Sequence, residues 1–180
     1  MGELKIVQFV CFETALNTEQ FIAKWEQYNR SLNSDRDVTL QGSENKGTFK
    51  YIAQHRFVAG ELQFTFTRAK KSSRIPEPEI KVKQAGGYLV TQSERNTDAH
   101  TDESKVFVFL TGPGASPDAY RQLASHGKLN IYEAYYENCQ YAFILEFFVK
   151  SKQLTVFLEQ LALLYPGETS VYRECSLQAL

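Results

Sequence analysis

Net charge, cysteine and long apolar runs are all scarce in this 180-residue chain, and each shortage removes a class of function. Lys and Arg number 20 against 21 Asp and Glu, a formal charge of −1, so no global field draws the protein to nucleic acid or to an anionic membrane surface. The one basic run, Arg68, Lys70, Lys71 and Arg74, is followed at once by Glu77 and Glu79 and reads as a solvated loop. Cys11, Cys139 and Cys175 are odd in number, far apart and free of any CxxC spacing, which excludes a disulfide framework and a thiolate metal site. They read as reduced residues of a cytoplasmic protein. No apolar run approaches the roughly 20 residues a spanning helix needs. The opening MGELKIVQF has neither the basic nor the apolar segment of a signal peptide, and Ile6 stands where a myristoylation signal needs Ser or Thr.

Catalytic signatures are scarce too. TGPGAS (111–116) precedes a helix but lacks the lysine of a phosphate loop, and no serine sits in a GxSxG elbow. His100 and His126 have no acidic or thiol neighbours at ligand spacing, so neither a metal nor a cofactor is expected.

What is present is a core. The chain is 43% apolar and 13% aromatic, enough for a compact fold. In the second half, KVFVFLTG is a strand ended by Gly-Pro-Gly, and SPDAYRQLASH a helix with Ser116 as cap and Pro117 at its first position. LNIYEAYYE and QYAFILEFFVK form a hairpin. KQLTVFLEQLALLYPG spaces Leu154, Phe157, Leu158, Leu161, Leu164 and Tyr165 as a helix stopped by Pro166-Gly167, and TSVYRECSL is a last strand. The order is βαββαβ, a ferredoxin-like unit. The first half offers a similar series: strand KIVQFVCFE, helix TEQFIAKWEQYNRSL capped by Asn17 or Thr18, two strands in VTLQGSENKGTFKYIAQHRFV, and strand KQAGGYLVTQ. ELQFTFTRAKK fills the slot of the second helix although Leu62, Phe64 and Phe66 alternate as in a strand, so 61–71 stays open between helix and strand. The polar segment 93–104 separates a first unit, 1–92, from a second, 105–180.

Matching motifs point to an internal duplication: FVCF with FVFL, Phe21 with Tyr120, AQHRFV with ILEFFV, AGGY with TSVY. The helix FIAKWEQYNRSL followed by a hairpin, repeated in one chain, resembles the dimeric α+β barrel superfamily, which includes the antibiotic biosynthesis monooxygenase-like proteins. The resemblance implies an α+β fold of tandem ferredoxin-like units whose antiparallel sheets pair into a barrel. A fused pair would complete its own barrel, and a homodimer through strand edges stays open.

The hairpin NIYEAYYENCQYAFILEFF (130–148) then poses the question of its carboxylates. Closing it with a two-residue Asn138-Cys139 turn sets Ile131, Glu133, Tyr135, Glu137, Ala142, Ile144, Glu146 and Phe148 on one face. Tyr132, Ala134, Tyr136, Tyr141, Phe143, Leu145 and Phe147 fall on the other, which belongs under the helices. A slip of one residue would bury the acids among those aromatics. In a paired-sheet barrel the acid face lines the interior, with Glu133 beside Glu146. Aligning AQHRFV with ILEFFV sets His55 opposite Glu146 and brings Tyr51 to the same space.

These residues suit acid–base work on a small apolar or aromatic molecule: His55 or Glu146 as proton acceptor, with Glu133, Tyr135, Tyr51 and Phe148 positioning the substrate. The resemblance implies a cofactor-independent monooxygenase-like enzyme. Two rivals remain: a non-catalytic ligand-binding or structural barrel filled by its own side chains, and a haem-handling barrel, since related barrels include haem binders. The last needs a histidine facing a large pocket, the place expected of His55.

Overall fold

The computed structural model describes residues 5–31, 38–44, 48–58, 79–93, 102–112, 114–135, 139–165 and 170–175. Among the described residues are eight strands and three helices: β1 (Lys5–Thr14), α1 (Thr18–Ser31), β2 (Val38–Ser43), β3 (Tyr51–Val58), β4 (Ile80–Gln92), β5 (Glu103–Leu110), α2 (Asp118–Arg121), β6 (Gly127–Ala134), β7 (Phe143–Lys150), α3 (Leu154–Leu164) and β8 (Ser170–Cys175). A 3₁₀ segment, Gln122–His126, extends α2 and another, Ser151–Gln153, leads into α3. The stretch 61–71, the second-helix slot of the first half, lies outside the described residues, as do 94–101 of the polar segment.

All neighbouring strands run antiparallel and the sheet closes on itself in the order β1-β3-β2-β8-β5-β7-β6-β4. The chain is thus an α+β barrel. Strands from the first half stand in the order β4-β1-β3-β2 and those from the second in the order β8-β5-β7-β6, joined through β2–β8 and β4–β6. Closure leaves no free edge among the described strands.

Each wall has two faces because side chains alternate along a strand. Inside the barrel lie Val7, Phe9, Cys11, Phe49, Ile52, Tyr88, Phe107, Phe109, Tyr132, Tyr141, Ile144 and Tyr172. Their rings meet directly: Phe9 lies 4.9 Å from Tyr132 and 5.5 Å from Tyr88, and Phe107 lies 5.2 Å from Tyr172, all edge to face. Outside, α1 covers one wall and α2 with α3 the other. Phe21 of α1 stacks on Tyr51 with centroids 4.0 Å apart, within a cluster that includes Phe12, Ile22, Leu40 and Ala53. Phe157 and Leu161 of α3 sink into Leu129, Ile131, Leu145, Phe147 and Val149.

The caps follow their chemistry. Asn17 closes α1 by a reciprocal box, its Oδ1 accepting from the Gln20 N–H at 2.9 Å while Gln20 Oε1 accepts from the Asn17 N–H at 3.2 Å. The second helix is looser than its sequence suggests. Only four residues are α-helical before the 3₁₀ turn, in which the Ser125 hydroxyl bonds the Gln122 carbonyl. Gly127 follows because its backbone presses on β7: a Cβ there would stand 2.2 Å from the Phe148 carbonyl oxygen.

The hairpin register differs from the two-residue-turn expectation by one residue. Asn130 faces Glu146, Tyr132 faces Ile144 and Glu133 faces Phe143. Past the paired strands the Ala134 N–H still bonds the Ala142 carbonyl at 2.9 Å, while the Tyr135 N–H bonds Gly87 and the Ala142 N–H bonds Leu110. β7 keeps its expected faces, with Glu146 inward and Phe143, Leu145 and Phe147 toward the helices. β6 reverses: Asn130 and Tyr132 turn inward, Leu129 and Ile131 go under the helices, and Glu133 goes to water. The cost of burying unpaired charge explains the outcome, since this register leaves one carboxylate inside and surrounds it with donors.

Candidate functional site

Glu146 sits at the centre of β7, 0% exposed, and each adjacent strand brings it a partner. The Tyr132 hydroxyl donates to Oε2 at 2.5 Å and Asn130 Nδ2 donates to the same oxygen at 2.9 Å. From across the barrel, Gln54 Nε2 reaches Oε1 at 3.4 Å, and the Lys105 ammonium lies 3.7 Å from Oε1. Thr39 in turn donates to Gln54 Oε1 at 3.3 Å. Hydrogen bonds to a buried charge are worth about 1.5–3 kcal/mol each, so the network offsets much of the cost of placing a carboxylate here.

Tyr132 is a donor and stays one. Burial is the main reason its hydroxyl titrates far above the ordinary phenol range; the charge of Glu146, and the hydrogen bond it accepts, push the same way, and Arg56 opposes them. Arg56 belongs to this interior, for its register partner is Val7, an inward residue of β1. Lys105 bridges outward: its Nζ is 3.8 Å from Glu174 Oε2, whose side chain is 54% exposed, so this end of the barrel adjoins water. The Phe148 ring lies 5.6 Å from the same ammonium, within cation–π range. Gln41 is fully buried on β2, between Ile52 and Glu174 in register. Among the described residues neither its Nε2 nor its Oε1 has a hydrogen-bond partner, a state that costs about 1–3 kcal/mol per group.

The interior is therefore two-part, with a plug of aromatic rings toward one end and a cluster of charges and amides toward the other. Of the six residues singled out by sequence, Glu146 and Phe148 share it. The other four lie elsewhere. His55 and Tyr51 alternate with the inward Ile52 and Gln54, so both face outward. Tyr51 is buried under α1, its hydroxyl donating to Thr18 Oγ1 at 3.0 Å, and His55 is half-buried on the same side. Glu133 is exposed on the outer face and Tyr135, 45% exposed, lies beyond the end of β6. The repeat alignment was off by one: YIAQHR against FILEFF matches the inward pair Ile52 and Gln54 to Ile144 and Glu146. That shift was available from alternation alone, as was the inward Lys105, two residues before Phe107 and four before Phe109. Among the described residues no group of three His, Cys, Asp or Glu side chains gathers to hold a metal. No described helix is long and apolar enough to cross a membrane.

No protein-family model matches the chain, and no curated protein matches it. Solved structures do. Chlorite dismutase from Candidatus Nitrospira defluvii in complex with imidazole superposes with a TM-score of 0.56 at 8% identity, over 94% of this chain and 91% of that one. A tryptophan variant of the same enzyme gives 0.57 at 10% identity, over 99% and 94%. A candidate chlorite dismutase, TA0507, gives 0.59 at 6% identity, over 96% and 95%. At such identities the likeness is one of fold.

Proposed function

We propose that this is a non-catalytic small-molecule-binding barrel made of two fused ferredoxin-like units, 1–92 and 105–180. The repeated strand order, 4-1-3-2 in each half, supports the duplication. The single observation that carries the non-catalytic reading is the state of Glu146. Its oxygens are taken up by Tyr132, Asn130, Gln54 and Lys105, and His55, its intended partner in proton transfer, is on the other face of the wall. A monooxygenase-like mechanism relying on both has no common space in which to run.

The test uses stability. A carboxylate kept for catalysis strains its fold, and replacing it raises stability; one held as a structural hub does the opposite. Glu146→Gln, which keeps the shape and loses the ion pair, is expected to cost about 1–3 kcal/mol and lower Tm. A rise in Tm would sink the reading.

A haem-handling barrel is the second reading, favoured by the likeness to chlorite dismutases. Among the described residues no histidine faces the barrel interior; His55 is half-buried on the outer face of β3 and His126 is half-buried in the turn before β6. An axial ligand is required, and inside the barrel the Tyr132 and Tyr172 hydroxyls donate to Glu146 and to the Phe49 carbonyl. Beneath α3 the Phe157 ring packs 5.0 Å from Phe147. Titration of the purified chain with haemin is expected to give no Soret band beyond that of free haemin, and a saturable shifted band would restore this reading.

A further inference from the structure

We propose that the polar end of the barrel binds a small neutral amide, a primary carboxamide or lactam on an apolar ring, paired edge to edge with the Gln41 side chain. This rests on the binding reading above and gives it a ligand class.

Gln41 carries the inference. Its register partners Ile52 and Glu174 fix its side chain on the inner face of β2, and it is 0% exposed. Thr39, two residues before it on the same face, donates to Gln54, and Gln54 in turn reaches Glu146. Both ends of the Gln41 amide, by contrast, are without a hydrogen-bond partner among the described residues. Sealing such a group from water is costly, and the cost is recovered when something bonds both ends. A side-chain amide offers an N–H donor and a carbonyl acceptor side by side in one plane. Its complement is another amide with N–H and C=O on one edge, so that two hydrogen bonds form at once.

Charge argues for a neutral ligand. The inward cations of this end, Lys105, Arg56 and Lys128, are matched by the inward acids Glu103, Glu146 and Glu174. Lys5 and Lys150, farther out on β1 and β7, are exposed and screened. An ion of either sign would lose its water here and meet no surplus of the opposite charge, whereas a neutral amide brings no charge to desolvate. A carboxylate also fails on hydrogen bonding, for it has only acceptors and gives the Gln41 carbonyl nothing. Position supplies the rest. Glu174, beside Gln41 in register, has a side chain 54% exposed, so a ligand reaches the amide by moving that side chain aside. Deeper in, Ile52 is the partner of Gln41 on β3, and Tyr172 shares the inner face of β8 with its ring 5.2 Å from Phe107. These walls suit a flat apolar ring.

Benzamide, a planar ring with one primary carboxamide, is the probe. Titrated into the full chain and followed by backbone NMR shifts, it is expected to bind saturably. Benzoate has the same shape but a charge and no donor, and N,N-dimethylbenzamide lacks the N–H; each is expected to bind about ten-fold more weakly. Gln41→Leu is expected to weaken benzamide by about ten-fold while leaving the Tm of the free chain equal or higher, since it removes an orphaned buried amide. Gln41→Met provides a second variant of similar volume should the branched side chain disturb the fold. Unsaturable shifts, benzoate binding as tightly as benzamide, or equal benzamide affinity in wild type and Gln41→Leu would overturn the site. So would a crystal structure grown with benzamide that shows an ordered water alone on Gln41. The Glu146→Gln melt separates the two levels: unchanged binding in Gln41→Leu removes this site and leaves the binding reading, whereas a raised Tm on Glu146→Gln removes that reading.

Discussion

β3 and β7 hold the same place in the strand order of their halves, each third in its series, and each sends isoleucine inward at the same depth, Ile52 and Ile144. Two residues on they part. β3 delivers Gln54, neutral and a donor, and then Arg56; β7 delivers Glu146, charged and an acceptor, and then Phe148. The two side chains meet across the barrel at 3.4 Å. A closed interior has room for one carboxylate at that level when the facing strand supplies its complement. Had both strands carried the acid, one of them would have to hold its proton. The difference between corresponding strands is what makes the polar end self-consistent.

The comparison breaks most sharply if the carboxylate is removed. Glu146→Ala leaves Lys105 buried beside a void and is expected to cost about 3–5 kcal/mol, read as a lower urea midpoint with an unchanged slope. The mirror change, Gln54→Glu, makes the two strands alike. Two carboxylates at this distance repel, so the variant is expected to be unstable at neutral pH and to regain stability as pH falls and one acid protonates. An equal midpoint at pH 5 and pH 8 would show that the facing positions do not interact.

Tyr132→Phe comes next, at about 1.5–3 kcal/mol for one hydroxyl bonded to a buried carboxylate. It also carries a pH signature. Burial holds the Tyr132 hydroxyl well above the ordinary 10.0, so the folded chain keeps a proton that the unfolded chain releases. Its contribution is complete below about pH 10 and fades as pH rises beyond that value. Tyr88 and Tyr172 are raised in the same direction, mainly by burial. The variant should therefore lose stability less steeply than wild type between pH 10 and 11.

Much of this was legible in the sequence because it rests on short-range pattern. The barrel's strands announce themselves by alternation, α1 by its cap at Asn17 or Thr18, and Glu146 as the inward acid of β7 by the apolar residues on either side of it. The partners of Glu146 were not, because register is a relation between strands. The pairing of β6 with β7 decided whether Glu133 or Tyr132 stood inside, and a one-residue shift in the repeat decided between His55 and Gln54. Both slips exchange one face for the other. Had each inward candidate been asked which donors its cross-strand neighbours offer, the slipped pairing would have come out ahead, since Asn130 and Tyr132 give Glu146 two donors and Ile131 and Glu133 give it none.

The smallest expected effect sharpens the same point within one hairpin. Glu133 and Glu146 lie on paired strands of identical sequence character, yet the first is exposed and the second is sealed. Glu133→Gln removes a charge that water already solvates, so its cost should stay within about 0.5 kcal/mol, the range of surface substitutions away from caps and ion pairs. Measured beside Glu146→Gln under one set of conditions, the same chemical change gives two values whose difference isolates burial. Equal values would mean that Glu133 also stands inside, and the whole face assignment of β6 would have to shift back by one residue.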